Sequence, residues 1–398
     1  MNSVKNSSRC LTVLSEILLA GGELKISEDS AGGSNSVQLP GDRDRTFCRD
    51  SGLQPIRRAP ANGAGSIAQT ITDFDAQDFG ELWALGTSHH VIMRSFPALQ
   101  EMLQLAMPER AAWIDRARLR EQARIDHAIS FLAPICEALG DVADVLVIKS
   151  LDHWPDLGSD LDLYTNAEGA DVVAIMRERF QAKLADRSWG DRLANKWNFI
   201  VPGLPELVEV HVARLGQTGE QVVITESLVQ NSRTAAFGSH RFRVPAPENR
   251  IIVSTLQRMY RHFYLRLCDI VDTAQLVELD VIDYPRLKAS ARRAGVWDGI
   301  ATYLVLVSGY VESCRGHGLP LPPLVTDAAR FGSDQLRFAR GFLRIPIFPQ
   351  CVKLYASEWK SLLLHGDLAN TWRLSLLPGL ATAAALELKL TGSDKGIW

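Results

Sequence analysis

The chain has little cysteine, little net charge and no long apolar run. Six cysteines in 398 residues (Cys10, Cys48, Cys136, Cys268, Cys314 and Cys351) are scattered without a Cys-x-x-Cys pair. That spacing argues against a zinc ribbon or a disulfide framework and for reduced thiols. A formal net charge of -3 argues against a surface built to coat nucleic acid. The most apolar stretches, 300–311 and 374–386, are shorter than the ~20 residues a bilayer requires, so no spanning helix is expected. Lys5 and Arg9 precede an apolar run at 10–20, the order of a signal peptide. Glu16 interrupts that run, however, and no small-x-small cleavage site follows. A cytoplasmic protein is therefore expected. Walker loops, His-Glu-x-x-His and Gly-x-Ser-x-Gly are also missing, which removes three common catalytic templates.

What the sequence does contain is ordered. Residues 1–70 are dominated by Ser, Asn, Gly, Asp and Arg after position 27, with no sustained period, and are expected to be a weakly ordered leader. From 71 to 245 helical and strand signals mix. Short helices are expected near 73–85 and 96–107, a long one over 110–139 and another over 170–184. Strands are expected at 145–148, 160–164, 197–201 and 207–212. From 246 to 398 the strand signals vanish, and apolar residues such as Ile251, Ile252, Leu256, Met259, Phe263 and Leu267 recur at helical spacing. The expected fold is α+β: a mixed sheet flanked by helices, followed by an all-helical domain.

The chemistry concentrates at Gly158-Ser159-Asp160-Leu161-Asp162-Leu163. Side chains on a strand alternate faces, so Asp160 and Asp162 share one face while Leu161 and Leu163 enter the core. Two acids on one face repel unless a cation lies between them. The strand at 207–212 alternates in the same way, placing Glu209 and His211 opposite Val208, Val210 and Val212. Were the two strands paired, Glu209 would become a third carboxylate. Such a set suits Mg²⁺ or Mn²⁺ with oxygen ligands. Two ions about 3.5–4 Å apart serve in-line phosphoryl displacement.

Together Ile148-Lys149-Ser150, His153-Trp154-Pro155, the Asp160–Asp162 run and Val208-Glu209-Val210-His211 resemble the polymerase-β-type nucleotidyltransferase superfamily, in particular its poorly characterised bacterial branch. Arg266-Leu267-Cys268-Asp269-Ile270-Val271-Asp272 adds to the likeness, which spans roughly residues 110–325. The resemblance implies that Asp160, Asp162 and Glu209 hold the metal. It makes Glu209 the acid nearest the acceptor hydroxyl. Lys149, Ser150, Ser159 and His211 then belong to the substrate side. The implied partners are an NTP, with ATP the expected donor, and a hydroxyl acceptor. Ser150 stands where the family carries glycine, and lacks its backbone freedom. Two outcomes therefore stay open: an active transferase, or a degenerate fold that binds nucleotide or a protein partner, including a toxin–antitoxin pair.

Other features read as structural. His365-Gly366-Asp367-Leu368 has the letters of a phosphotransferase catalytic loop, but Asn370 follows Asp367 by three residues instead of five, and no glycine-rich loop precedes it. It is expected to be a helix break. His89-His90 reads as a surface pair, and Asp272 as a salt-bridge partner of Arg266.

Overall fold

The computed structural model describes residues 2–20, 64–216, 220–376 and 378–379. Helix α1 (Asn2–Ser15) runs into a wider turn, Glu16–Ala20. The remainder of the expected leader, 21–63, lies outside the described residues. Helices α2 (Ala64–Thr72), α3 (Ala76–Ser88), α4 (Ile92–Leu103) and α5 (Pro108–Gly140) follow. Asp75 starts α3 by accepting from the Gln77 and Asp78 amides, while Asp78 returns a bond to the Asp75 amide. Pro108 opens α5 at a position where its missing N–H costs nothing.

The middle of the chain gives β1 (Val145–Val147), β2 (Asp160–Thr165), α6 (Gly169–Phe180), β3 (Lys183–Leu184), α7 (Trp189–Leu193), β4 (Lys196–Ile200) and β5 (Leu207–Val212). These strands form one mixed sheet in the order β1-β2-β5-β4-β3. β2 and β5 run parallel and the other neighbours antiparallel. Helix α8 (Glu220–Gln230) leads to a separate hairpin, β6 (Arg233–Phe237) and β7 (His240–Val244).

Helix α9 (Pro247–Thr255) continues as a π-helical segment, Leu256–His262, and the chain then passes through β8 (Tyr264–Leu265), α10 (Leu267–Glu278), α11 (Tyr284–Arg293), α12 (Trp297–Arg315), α13 (Pro323–Thr326), β9 (Arg337–Ala339), β10 (Phe342–Arg344) and α14 (Val352–Leu364). The α+β class and the predominantly helical second half agree with the sequence reading. That reading omitted the short sheet β8-β10-β9 inside the helical half. Its hairpin turns at Arg340-Gly341, both with positive φ, and three-residue strands are too short to display a period. After α14 the backbone breaks at Gly366 (φ +73), and the Asp367 carboxylate accepts from the Asn370 amide, as expected of a helix break.

Two hydrophobic cores divide the described residues. Leu161, Leu163, Val208, Val210, Val212 and Phe199 cover one face of the sheet and pack on α6 and the second half of α5. The other core joins α1, α3, α4 and the first half of α5 to α9, α10 and α12. Packing thus crosses the expected boundaries at 71 and 245. Helix α1 is not a loose leader: Cys10, Leu14 and Leu19 are fully buried, and Ser15 hydrogen-bonds Tyr310 at 2.8 Å. Polar residues interspersed in its sequence mask an apolar stripe of helical period. Truncating that stripe removes core volume. Leu14→Ala is expected to lower unfolding free energy by about 2–5 kcal/mol, read from the urea midpoint of the full chain.

Candidate functional site

The site is set by the parallel register of β2 on β5, which aligns Asp160 with Leu207, Asp162 with Glu209 and Tyr164 with His211. Alternation sends Leu161, Leu163, Val208 and Val210 into the sheet core and leaves the acids on the opposite face. The two strands are paired, and Glu209 lies beside Asp162. On the next strand, β4 pairs Lys196 with His211, which brings a second lysine to the same face.

Lys149, two residues beyond β1, sits in the left-handed region (φ +58), a conformation that costs a non-glycine residue about 1–2 kcal/mol. Its ammonium enters the acid cluster, with Nζ 2.5 Å from Asp162 Oδ1, 3.3 Å from Glu209 Oε1 and 3.2 Å from His211 Nε2. Burial opposes the charge, but Asp162 and Glu209 outweigh it and raise the Lys149 pKa. Lys196 Nζ lies 2.7 Å from Glu209 Oε2 and 2.8 Å from Asp191 Oδ1. Burial alone would raise the Glu209 pKa; Lys149, His211 and Lys196 instead hold it well below the ordinary range.

His211 is completely buried, its Nε2 2.8 Å from Glu209 Oε1 and 3.6 Å from Asp162 Oδ1. Nε2 cannot both donate to Glu209 and accept from Lys149, so one of its contacts is electrostatically unfavourable. Its Nδ1 is buried with no hydrogen-bond partner among the described residues.

Ser150 is 1% exposed, and its hydroxyl is engaged within the protein. It donates to the Asp160 carbonyl at 2.8 Å and accepts from the Asp162 amide at 2.7 Å, bracing the start of β2. Ser159 is exposed. Thus Asp160, Asp162, Glu209, Lys149, Ser150 and His211 are brought together, while Ser159 flanks them. Lys196 and Asp191 complete the cluster and were missed. Lys196 is one basic residue in an aromatic-flanked strand, and only its pairing with β5 reveals its partner.

Asp160 differs from the other acids. It makes no hydrogen bond or ion pair through its carboxylate among the described residues. Burial first, then Asp162 and Glu209, push its pKa up to about 6. An acid cluster with one unengaged carboxylate fits a hard cation that prefers oxygen ligands. Asp162, Glu209 and His211 offer ligand atoms within 4.8 Å of one another.

A second polar network pins the loop joining Lys149-Ser150 to Asp160. Arg94 Nη1 contacts Asp272 at 2.7 Å, Arg94 Nε lies 3.6 Å from Asp156, and Arg250 Nε contacts Asp152 at 2.8 Å. His153 Nδ1 bonds Asp272 at 2.5 Å, and its Nε2 lies 3.7 Å from Cys268 Sγ. Asp272 therefore pairs with Arg94 and His153 in place of the expected Arg266. His89 and His90 are buried, which corrects the surface reading. His89 takes the Leu267 amide on one ring nitrogen and the Gly341 carbonyl on the other, and His90 accepts from Arg266 at 2.7 Å. His153, Cys268 and Asp269 also converge. Asp269, however, is held by Arg258 and the Arg266 amide, among arginines that disfavour an added cation.

No protein-family profile and no curated protein matches the chain. Among solved structures it is similar to an antigenic nucleotidyltransferase-like protein from Paracoccidioides brasiliensis, at 14% identity and a TM-score of 0.33, over 52% of this chain and 97% of that one. Among the described residues no helix is long and apolar enough to cross a membrane.

Two stability predictions follow from these charges. Because the folded pKa of Asp160 exceeds its unfolded value of 3.8, the folded state binds the extra proton, and its ionisation destabilises the fold as pH rises toward about 6. Asp160→Asn is therefore expected to melt higher than the wild type at about pH 7.5, with the gain disappearing near pH 4. Arg94→Met strands Asp272 and Asp156 in the interior and is expected to cost about 3–5 kcal/mol in denaturant unfolding.

Proposed function

We propose that this protein is a Mg²⁺-dependent nucleotidyltransferase that moves an NMP from an NTP, with ATP the expected donor, to a hydroxyl acceptor and releases pyrophosphate. The observation that carries this reading is the placement of Asp160, Asp162 and Glu209 on one sheet face by the β2/β5 register, with Asp160 unengaged. Asp160 and Asp162 would hold the metal and Glu209 would complete its surroundings. The metal's contribution is to neutralise phosphate oxygens and stabilise the leaving group.

Charge around the cluster also suits an anionic substrate. Arg261 is close enough to oppose the charge on Lys149, and its Nε is buried without a hydrogen-bond partner among the described residues. Burial first, then Arg261, Arg258, Arg266 and Lys149, drive the His262 pKa well down. This concentration of positive potential favours a polyphosphate. Glu209, adjoining Asp162 in register, would orient an acceptor hydroxyl. With Lys149 and Lys196 both on its oxygens it is a weak base, so its role is positioning more than proton removal.

A second reading has its own support. The Ser150 hydroxyl braces β2 and Lys149 lies among the acids, so neither faces a phosphate in this arrangement. A fold that binds nucleotide without transfer would look the same. Labelled NTPs, Mg²⁺ and a panel of hydroxyl acceptors separate the two. Label transfer is expected, and both Asp160→Ala and Asp162→Ala are expected to reduce it by at least about 100-fold. Unchanged transfer in Asp160→Ala would remove the site assignment. NTP binding without turnover would favour the second reading.

A further inference from the structure

We infer that Lys149 is the resident cation of the acid cluster, which a divalent ion must displace before the site is loaded. The inference rests on the metal reading above and adds to it a built-in competitor. Three observations carry it. The first is position. Nζ contacts Asp162 Oδ1, Glu209 Oε1 and His211 Nε2 at 2.5, 3.3 and 3.2 Å, and these three residues are the ones whose ligand atoms converge within 4.8 Å. An Mg²⁺ ion bonds oxygens at about 2.0–2.1 Å and tolerates no ammonium inside its octahedron, so ion and ammonium occupy this position in turn.

The second observation is strain. Lys149 reaches the cluster from a left-handed backbone, and its ammonium lies against His211 Nε2, which is already 2.8 Å from Glu209. A contact of this kind holds less tightly than a fully matched ion pair. The four-carbon stem can withdraw without moving β1.

The third is asymmetry. Lys196 is clamped between Glu209 and Asp191, so it is a fixed counter-charge, whereas among the described residues Lys149 has no comparable second anchor outside the acid cluster. Asp160 lies on the same sheet face outside the converging set, a further carboxylate with no hydrogen-bond or ion-pair partner among the described residues. Lys149 thus keeps the acids neutralised in the resting protein and sets a threshold for metal entry.

The test measures binding of Mn²⁺ alone, without nucleotide, to the full chain by electron paramagnetic resonance and calorimetry. Lys149→Met is expected to bind Mn²⁺ at least about tenfold tighter than the wild type, since a site open less than a tenth of the time loses that factor in apparent affinity. Adding Asp160→Asn to Lys149→Met is expected to abolish the tight binding, which locates the ion. Thermal melts confirm that each variant is folded. Should Lys149→Met fail to fold, Lys149→Gln keeps a hydrogen-bond donor without the charge and takes its place. Equal, Asp160-dependent binding by wild type and variant would overturn this inference alone. Absence of Mn²⁺ binding in both would overturn it together with the metal reading.

Discussion

The structure around the site depends on one constraint: parallel pairing of β2 with β5 forces Asp160, Asp162 and Glu209 onto the same face of a sheet whose other face is dry. The hydrophobic core fixes that register, because a one-residue slip would turn Leu161, Leu163, Val208 and Val210 outward. The acids cannot move apart without loss of the core, so the surrounding elements must supply positive charge. The loop after β1 does so through Lys149 in an unfavourable backbone conformation, and β4 does so through Lys196. Asp191 from α7 then holds Lys196 in place. Removing a lysine therefore takes away part of what holds the Glu209 pKa down, which is the combined effect of Lys149, His211 and Lys196.

The parts of this arrangement written in local patterns were legible in the sequence. Alternation alone gave β5 its limits and gave β2 its acid face, and the α5 period gave a helix at 110–139 within the observed Pro108–Gly140. Long-range facts were not legible. The contact between Asp162 and Glu209 joins strands far apart in the chain, so the pairing followed from the chemistry the acids required. No periodicity signals it. The direction of Lys149 turns on the sign of one φ angle, which no local motif announces. Helix α1 was hidden by polar residues, although Cys10, Leu14 and Leu18 recur every four positions. His89 and His90 looked like surface because a histidine pair has no period; tertiary partners satisfy each ring inside.

Two buried charge systems meet at the 151–159 loop: one grips residues within it, and the other lies at its two ends, Lys149 and Asp160. In the first, Arg94, Arg250, Asp152, Asp156, His153 and Asp272 meet one another in close pairs, which rigidifies the loop. Burial still pushes the Asp156 pKa up to about 6, so even this network carries some cost of enclosure. Its role is mechanical: it holds the connection between Lys149-Ser150 and Asp160, while the Ser150 hydroxyl ties the two ends directly.

The second system is incomplete in specific ways. Asp160 has no carboxylate partner among the described residues, His211 Nδ1 is orphaned, and Lys149 lies against a ring nitrogen already close to Glu209. A purely structural cluster would relieve such conflicts by replacing an acid with an apolar residue, which is often neutral or stabilising. Here the β2/β5 register holds the acids together, and a cation or anion brought to the cluster would supply the missing partners. The neighbouring network fixes the geometry so that those partners meet a preformed site. The rigidity of one charge system and the incompleteness of the other are thus linked, because the pinned loop holds in place the start of β2, where the unsatisfied groups lie.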